Sequence, residues 1–539
     1  MTIYLDYAAT TPVDPRVATR MAQVLSDPLL QANAASATHG LGLAVNELVE
    51  AARGEVAALI GAAPREIVFT SGATEANNLA LLGVARAARR AAGRGHIVSG
   101  RTEHKSVLDA CAQLVRDGFT VTLVEPDAGG RVPPDAVRAA LRADTLLVSL
   151  MLANNEIGVT NDIAAIAALC ATQGVLLHSD ASQAVGKLPV DVGALGVDFL
   201  ALTAHKFYGP KGIGALYVRE AARPRIAPIQ FGGGHERGLR SGTLPTHQVA
   251  GFGIAASLAR AQGAADAAHA CELSTRLWRA LESMPGVSLN GDPLQRVPGL
   301  LNVSYEGVEG ESLVTGLAEI AVSTGSACSS ATREPSYVLR ALGRSTELAQ
   351  SSLRISLGRF TTAAEVDRAA AVIRREVVRL RRLAGDLATE SAPEAGQTPG
   401  VGPGNAGPEG PSLLCALSPL AQKHFLAAAR VPRFGSGPPP PGIRHGRAGR
   451  RADGTEVMFE LELTADSVKS ARFSAYGCPH TLAVVAWVCE VLEGRGVAAG
   501  VPETPADWAR RFEVPAEKLG RLLIVEDALR AAFSDEKDR

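Results

Sequence analysis

Short β-rich runs alternate with helical stretches in the N-terminal half of this chain, and that alternation restricts the fold more than any other feature. Candidate strands are Ile67–Phe69, Ile97–Ser99, Val121–Val124, Leu146–Met151, Val175–His178, Asp198–Leu202 and Gly214–Val218. Ahead of the first and between several others lie Ala- and Leu-rich periodic segments such as Val45–Ile60 and Pro134–Arg142. The pattern predicts an α/β fold, a mainly parallel sheet covered by helices on both faces. From about 265 to 384, two long helical patterns surround short strands near Leu301–Ser304 and Leu353–Leu357, which reads as a smaller α+β lobe.

A compositional break follows. From Gly385 to Ser412 the chain is rich in Gly and Pro and nearly devoid of large apolar residues. Such a segment buries too little surface to offset its ordering entropy and reads as a flexible linker. The expected organisation is therefore 1–384 (a large lobe of about 15–260, a small lobe of 1–14 and 261–384), a linker over 385–412, and a second domain over 413–539. A length of 539 residues accommodates this division.

With 46% hydrophobic residues, 4% aromatics and a net charge of −1, the chain offers neither a broad basic surface nor stacking platforms for nucleic acid. No apolar run approaches the ~18 residues that span a bilayer. Asp6 interrupts the first apolar stretch and no basic segment precedes it, which argues against a signal peptide and for a cytoplasmic protein. The seven cysteines form no CxxC pair, so reduced thiols are expected.

Three strand ends carry suggestive side chains. Ile67–Phe69 runs into Ser71-Gly72-Ala73-Thr74 ahead of a helix, a turn whose N–H groups and Thr74 hydroxyl favour an anion, although alone it reads equally as a tight turn. Asp180 and Gln183 follow the strand ending at His178, where an acid is commonly a cap or an ion-pair partner. Thr203, His205 and Lys206 follow the strand ending at Leu202, where a lysine is commonly a solvated surface residue. In open α/β sheets, ligands bind outside the carboxyl ends of the strands. An anion cradle, a carboxylate and an amine in one crevice form the set that pyridoxal phosphate (PLP) requires.

The motifs YLDYAATTPVDPRV, SGATEANNLA, RTEHKSV, NNEIGV, HSDASQAVGK, HKFYGPKGIGALYV, GGGHERGLRSGTLP, STGSACSS, EPSYVLRALG and SSLRISLGRFT, in that order, resemble the IscS/NifS cysteine desulfurases over nearly all of residues 1–380. The resemblance implies a fold type I PLP-dependent transferase, with a seven-stranded, mainly parallel sheet in its large domain. It implies that Lys206 forms the Schiff base, Asp180 pairs with the pyridine nitrogen, His104 lies over the ring and Gln183 contacts the ring hydroxyl. Ala73, Thr74, Thr203 and His205 would hold the phosphate, and Thr243 would reach the phosphate of the partner subunit in a homodimer. Asn155 and Arg354 would bind the carboxylate of L-cysteine, Asn155 also flanking the cofactor, and Cys328 would take the sulfur as a persulfide for acceptor proteins. A selenocysteine lyase or another PLP enzyme of this fold is the rival reading, separated by assaying alanine formation against transamination.

Beyond the linker, LSPLAQKHFLAAARVPRFG, EVMFELELTADSVKSARFSAYGCPHTLAVVAWVCEVLEGR and LLIVEDALRAAFSDEKDR resemble the IscU/NifU iron–sulfur scaffolds over about 415–535. Val457–Leu463 and Ser470–Tyr476 read as antiparallel strands, with a helix starting near Pro479 and Cys478 at its N-terminus. The ligand set departs from the family. Asp453 and Glu456 stand where the first cysteine belongs, Gly520-Arg521 replaces a His-Cys pair, Val514–Lys518 departs from the chaperone-recognition stretch, and Cys489 reads as core. Cys478 and Cys328 are the candidate iron–sulfur ligands, against the roughly four that a [2Fe–2S] cluster takes. A docking module or a persulfide acceptor through Cys478 is expected ahead of a scaffold.

Overall fold

The computed structural model describes residues 2–92, 95–324, 334–386, 413–428 and 443–534. The expected sheet forms from β1 (Ile67–Thr70), β2 (His96–Gly100), β3 (Thr120–Val124), β4 (Thr145–Ser149), β5 (Leu176–Asp180), β6 (Phe199–Thr203) and β7 (Gly214–Val218). Its order is β1-β7-β6-β5-β4-β2-β3. All neighbours are parallel except around β7, which runs antiparallel to both β1 and β6. Successive side chains of a strand point to opposite faces. Phe69, Val98, Val148, Leu177 and Leu200 accordingly pack into one apolar layer, and Val68, Ile97, Leu147, Leu176 and Phe199 into the other. Helices α1 (Ala73–Ala92) and α2 (Lys105–Arg116) contribute Leu79 and Val107 to the second layer.

Helix α3 (Thr246–Glu282) is continuous across the lobe boundary expected near residue 260, so one rigid element serves both lobes. The small lobe carries an antiparallel sheet of β8 (Val287–Leu289), β9 (Leu300–Tyr305), β10 (Ser323–Thr324) and β11 (Ser352–Ser356), ordered β10-β11-β9-β8. Helices α4 (Gly310–Gly316) and α5 (Ala363–Leu383) cover it. The N-terminal strand Ile3–Tyr4 pairs with Ile320–Ala321, which joins the start of the chain to this lobe.

The second domain is an antiparallel meander of β12 (Ile443–Arg450), β13 (Thr455–Leu463) and β14 (Val468–Tyr476), followed by α6 (Pro479–Leu492) and α7 (Leu519–Phe533). Strand β12 went unread in the sequence because its Arg- and Gly-rich run IRHGRAGR has no apolar alternation. Gly446 has a packing reason: a Cβ there would fall 2.0 Å from the Ala528 carbonyl oxygen, so only glycine lets α7 lie on β12.

This domain is seated on the small lobe. Leu313, Ile373 and Val377 of the small lobe share one apolar cluster with Phe425, Val484 and Leu522. Ser312 Oγ donates to the Gly477 carbonyl at 2.7 Å, Lys518 pairs with Glu311, and Arg379 donates to the Phe425 carbonyl at 3.0 Å with its guanidinium over that ring. Continuous apolar burial is the chief attraction in such a contact, and the ionic groups fix its orientation.

Candidate active site

The three strand ends do converge. Asp180 closes β5 and is 5% exposed; its Oδ2 accepts from Asn77 Nδ2 on α1 at 2.7 Å, and its Oδ1 accepts from the Ser182 N–H at 2.9 Å. Asn77, fully buried, was missed by sequence reading, because nothing local marks a residue whose partner lies so far along the chain. Thr203 closes β6 and donates to the Ile213 carbonyl, and His205 and Lys206 occupy the single turn that follows. Lys206 Nζ donates to the Ala8 and Ala9 carbonyls, each at 2.7 Å, which swings the amine over the N-terminal segment. Gln183 Nε2 donates to the same Ala8 carbonyl at 2.8 Å. Gln183 and Lys206 are thus neighbours.

Between β1 and α1, Gly72 adopts φ +155°, where side chains are disfavoured, and a Cβ built on it would stand 3.9 Å from Thr203 Oγ1. The turn carrying Ala73 and Thr74 therefore lies against the end of β6, and its backbone conformation favours glycine. His205, on the turn after β6, has Nδ1 3.2 Å from Thr10 Oγ1. Burial, then Lys206, Lys211 and Lys187, push its pKa down to about 4. A group of cations that depress one another in this way is the complement of an anion.

His104 is the N-cap of α2, its Nδ1 accepting from the Ser106 N–H at 3.1 Å. Beside it Glu103 is buried, accepts from the Met151 N–H at 2.6 Å, and has its pKa driven well up by burial. Arg354, on β11 and 3% exposed, pairs with Asp6 at 2.8 Å and donates to the Asn155 carbonyl at 2.9 Å. Its Nε and the Asn155 Oδ1 are buried without a protein partner. Unpaired buried groups of this kind are costly unless a ligand meets them. Thr243 lies exposed on the loop after Arg240.

Cys328 falls in 325–333, outside the described residues, but both flanks are fixed. Ser323 is the register partner of Arg354, and Ser336 donates to the Glu156 carboxyl next to Asn155. Glu156 is buried, which raises its pKa to about 7 against the pull of Ser336, Arg354 and His104. The segment bearing Cys328 thus begins and ends beside the residues expected to bind the substrate carboxylate.

In the second domain, Cys478 is fully buried as the N-cap of α6, its Sγ 3.4 Å from Thr481 Oγ1. Burial works against the charge of Arg521, yet Cys478 and then Glu309 raise its pKa. A guanidinium thus stands where a metal ligand was expected. Cys489 is buried on the same helix, in the core, and burial drives its pKa well up. Among the described residues no group of three or more His, Cys, Asp or Glu is placed to hold a metal ion, and no helix is long and apolar enough to cross a membrane.

Residues 3–369 match the family model of class-V aminotransferases. The cysteine desulfurase IscS of Aeromonas salmonicida is 56% identical over 382 residues, covering 71% of this chain and 94% of that one. Among solved structures, a NifS-like protein superposes with a TM-score of 0.65 at 34% identity, covering 70% of this chain and all of that one. The structure of SspA in complex with cysteine superposes with a TM-score of 0.59 at 36% identity, covering 67% and 100%. The family match and the relatives agree, and the chain belongs to the class-V aminotransferase family, among its IscS/NifS-type cysteine desulfurases.

Proposed function

We propose that residues 1–384 take sulfur from L-cysteine through Lys206, Asp180, His104 and Arg354 and hand it to Cys328, with L-alanine as co-product. The observation that carries this reading is the shared crevice. Lys206 and Gln183 donate to one carbonyl, Asp180 is locked by Asn77 and Ser182, and the glycine turn lies against Thr203. These residues fit PLP, the cofactor of the family. Ala73, Thr74, Thr203 and His205 would hold its phosphate, Asp180 its ring nitrogen and Gln183 its ring hydroxyl. When bound, PLP supplies an electrophilic carbon for an amine and a protonated ring that accepts an electron pair from the substrate.

The protein's part is positioning and proton movement. Arg354, already held by Asp6 and the Asn155 carbonyl, keeps an Nε without a protein partner to offer the substrate carboxylate, to which the Asn155 amide NH2 would also donate. His104, fixed by its N-cap contact to Ser106, would lie over the ring, and Lys206 would move the α-proton. The Cys328 thiolate attacks the substrate sulfur. An S–S bond forms as the C–S bond breaks, and the carbon fragment is reprotonated and leaves as alanine. The rival selenocysteine lyase or aminotransferase would not need that thiol.

Two variants test the reading. Lys206→Ala should lose the visible absorbance of lysine-bound cofactor, and Cys328→Ala should keep it yet form no alanine from cysteine. Alanine formation at the parent rate by Cys328→Ala would end the persulfide assignment.

A cytoplasmic homodimer is the working assembly. Thr243 is exposed, and Leu25, Leu29, Leu41, Leu43 and Phe231 are all exposed apolar residues suited to a second copy. Light scattering of the purified chain checks it. The second domain is a docking module built on the IscU/NifU pattern, supported by its meander, its shared apolar cluster with the small lobe, and Arg521 beside Cys478. Acceptance of sulfur by Cys478 is the second reading; mass spectrometry after exposure to labelled cysteine, with and without iron, would show added sulfur on that residue.

A further inference from the structure

A lysine outside the expected site residues completes the crevice. Lys187 lies one helical turn's spacing beyond Gln183, and its Nζ donates to Gln183 Oε1 at 2.8 Å. An ammonium is donor only, so the contact decides which end of the Gln183 amide is which: the oxygen faces Lys187 and the NH2 faces the Ala8 carbonyl, beside Lys206. One proton of that NH2 is used by Ala8, and the other remains for a ligand on the Lys206 side.

We propose that Lys187 is a positioning residue of the desulfurase. It fixes Gln183 as a hydrogen-bond donor toward the cofactor ring and places a second positive charge behind it, next to Lys206. The proposal rests on the assignment of Lys206 and Gln183 to the cofactor.

Its electrostatics agree with its geometry. Burial, then Lys206, then Arg354 lower the pKa of Lys187 to about 7, and Lys187 in turn depresses His205. Part of the residue stays open to solvent. Three elements thus aim cations at one space: the turn after β5 (Lys187), the turn after β6 (His205, Lys206) and β11 (Arg354). Fold stability gains nothing from like charges brought together, whereas an anionic ligand relieves all of them at once. Without Lys187 the Gln183 amide oxygen loses its donor and only the Ala8 carbonyl holds the amide's orientation, so the NH2 facing the Lys206 side is less firmly fixed.

The test is the pH titration of the visible band given by cofactor bound at Lys206, read by absorbance. A nearby positive charge favours the deprotonated form, so Lys187→Met should move the midpoint upward by about one pH unit, with cofactor content and thermal midpoint close to parent. Lys187→Arg, which keeps the donor and stays charged throughout, should place the midpoint at or below the parent's and not above it. Should Lys187→Met fail to fold, Lys187→Gln, uncharged but still able to donate, carries the same test. A parent-like midpoint in either folded, cofactor-loaded, uncharged variant overturns the proposal. A parent protein whose visible band survives Lys206→Ala would instead overturn the cofactor assignment beneath it.

Discussion

Replacing Lys518 with methionine probes whether docking of the second domain is what hides Cys478. The Lys518 side chain is 7% exposed and meets Glu311 and, at 3.3 Å, His480 Nδ1. Removing one member of a fully buried ion pair costs about 3–5 kcal/mol because the other is stranded. Here Glu311 is 37% exposed and regains water, so about 1–2 kcal/mol is expected after screening. Methionine keeps the apolar stem, so the loss falls on the ionic contact. A change of about 1.4 kcal/mol raises the undocked fraction about tenfold. When opening is fast relative to modification, labelling of a hidden thiol follows that fraction. Cys478 in Lys518→Met should therefore react with a small neutral thiol reagent about tenfold faster than in the parent, read peptide by peptide by mass spectrometry. Cys489, in the core of the same helix, is the internal control and should keep its rate. An unchanged Cys478 rate in the folded variant would refute the reasoning. So would equal acceleration of both thiols, since that reports unfolding of the domain and not undocking.

Arg354→Lys should raise KM for cysteine at least about tenfold while the cofactor band persists, because an ammonium cannot hold Asp6 and Asn155 and still offer a planar edge to a carboxylate. Steady-state alanine formation checks it; an unchanged KM would remove Arg354 from substrate binding. Glu156 holds a pKa of about 7, above its ordinary 4.5, so the native state binds the extra proton. Its contribution is fully present below about pH 4.5 and is lost as pH rises through 7, a swing of about 3 kcal/mol. Glu156→Gln should lack that swing and be the more stable protein at pH 8, measured by urea denaturation at pH 5 and 8; a swing equal to the parent's would refute the assignment.

The sheet was legible in the sequence because its strands are buried on both faces and so read as short apolar runs. The limits drift by one or two residues where a strand ends in a polar group that still makes ladder hydrogen bonds, as at His96, Asp180 and Thr203. Asp180 and Lys206 could be placed in one crevice because both lie at carboxyl ends of adjacent strands. Asn77, Glu103 and Glu156 could not, since each matters through a partner remote in sequence. Lys187 is four residues from Gln183, yet its importance depends on the Gln183 amide being pinned at its other end by Ala8. The compositional break from 385 to 412, which lies outside the described residues from 387 on, was visible in the sequence, but not the seating of the residues beyond it on the small lobe. An apolar face such as that of α4 or α5 looks alike in sequence whether it covers its own lobe or a neighbour.

The N-terminal strand connects these two parts of the molecule. Ile3–Tyr4 pairs with Ile320–Ala321, a few residues beyond the docking helix α4 and just ahead of β10, from which the Cys328 segment departs. The same strand continues into Asp6, which holds Arg354, and into Ala8 and Ala9, whose carbonyls receive Lys206 and Gln183. A shift of α4 when the second domain is released would thus be passed along one hydrogen-bonded ribbon to the substrate carboxylate site and the cofactor amine together. Burial of Arg354 and the doubly satisfied Lys206 make that ribbon stiff at its far end.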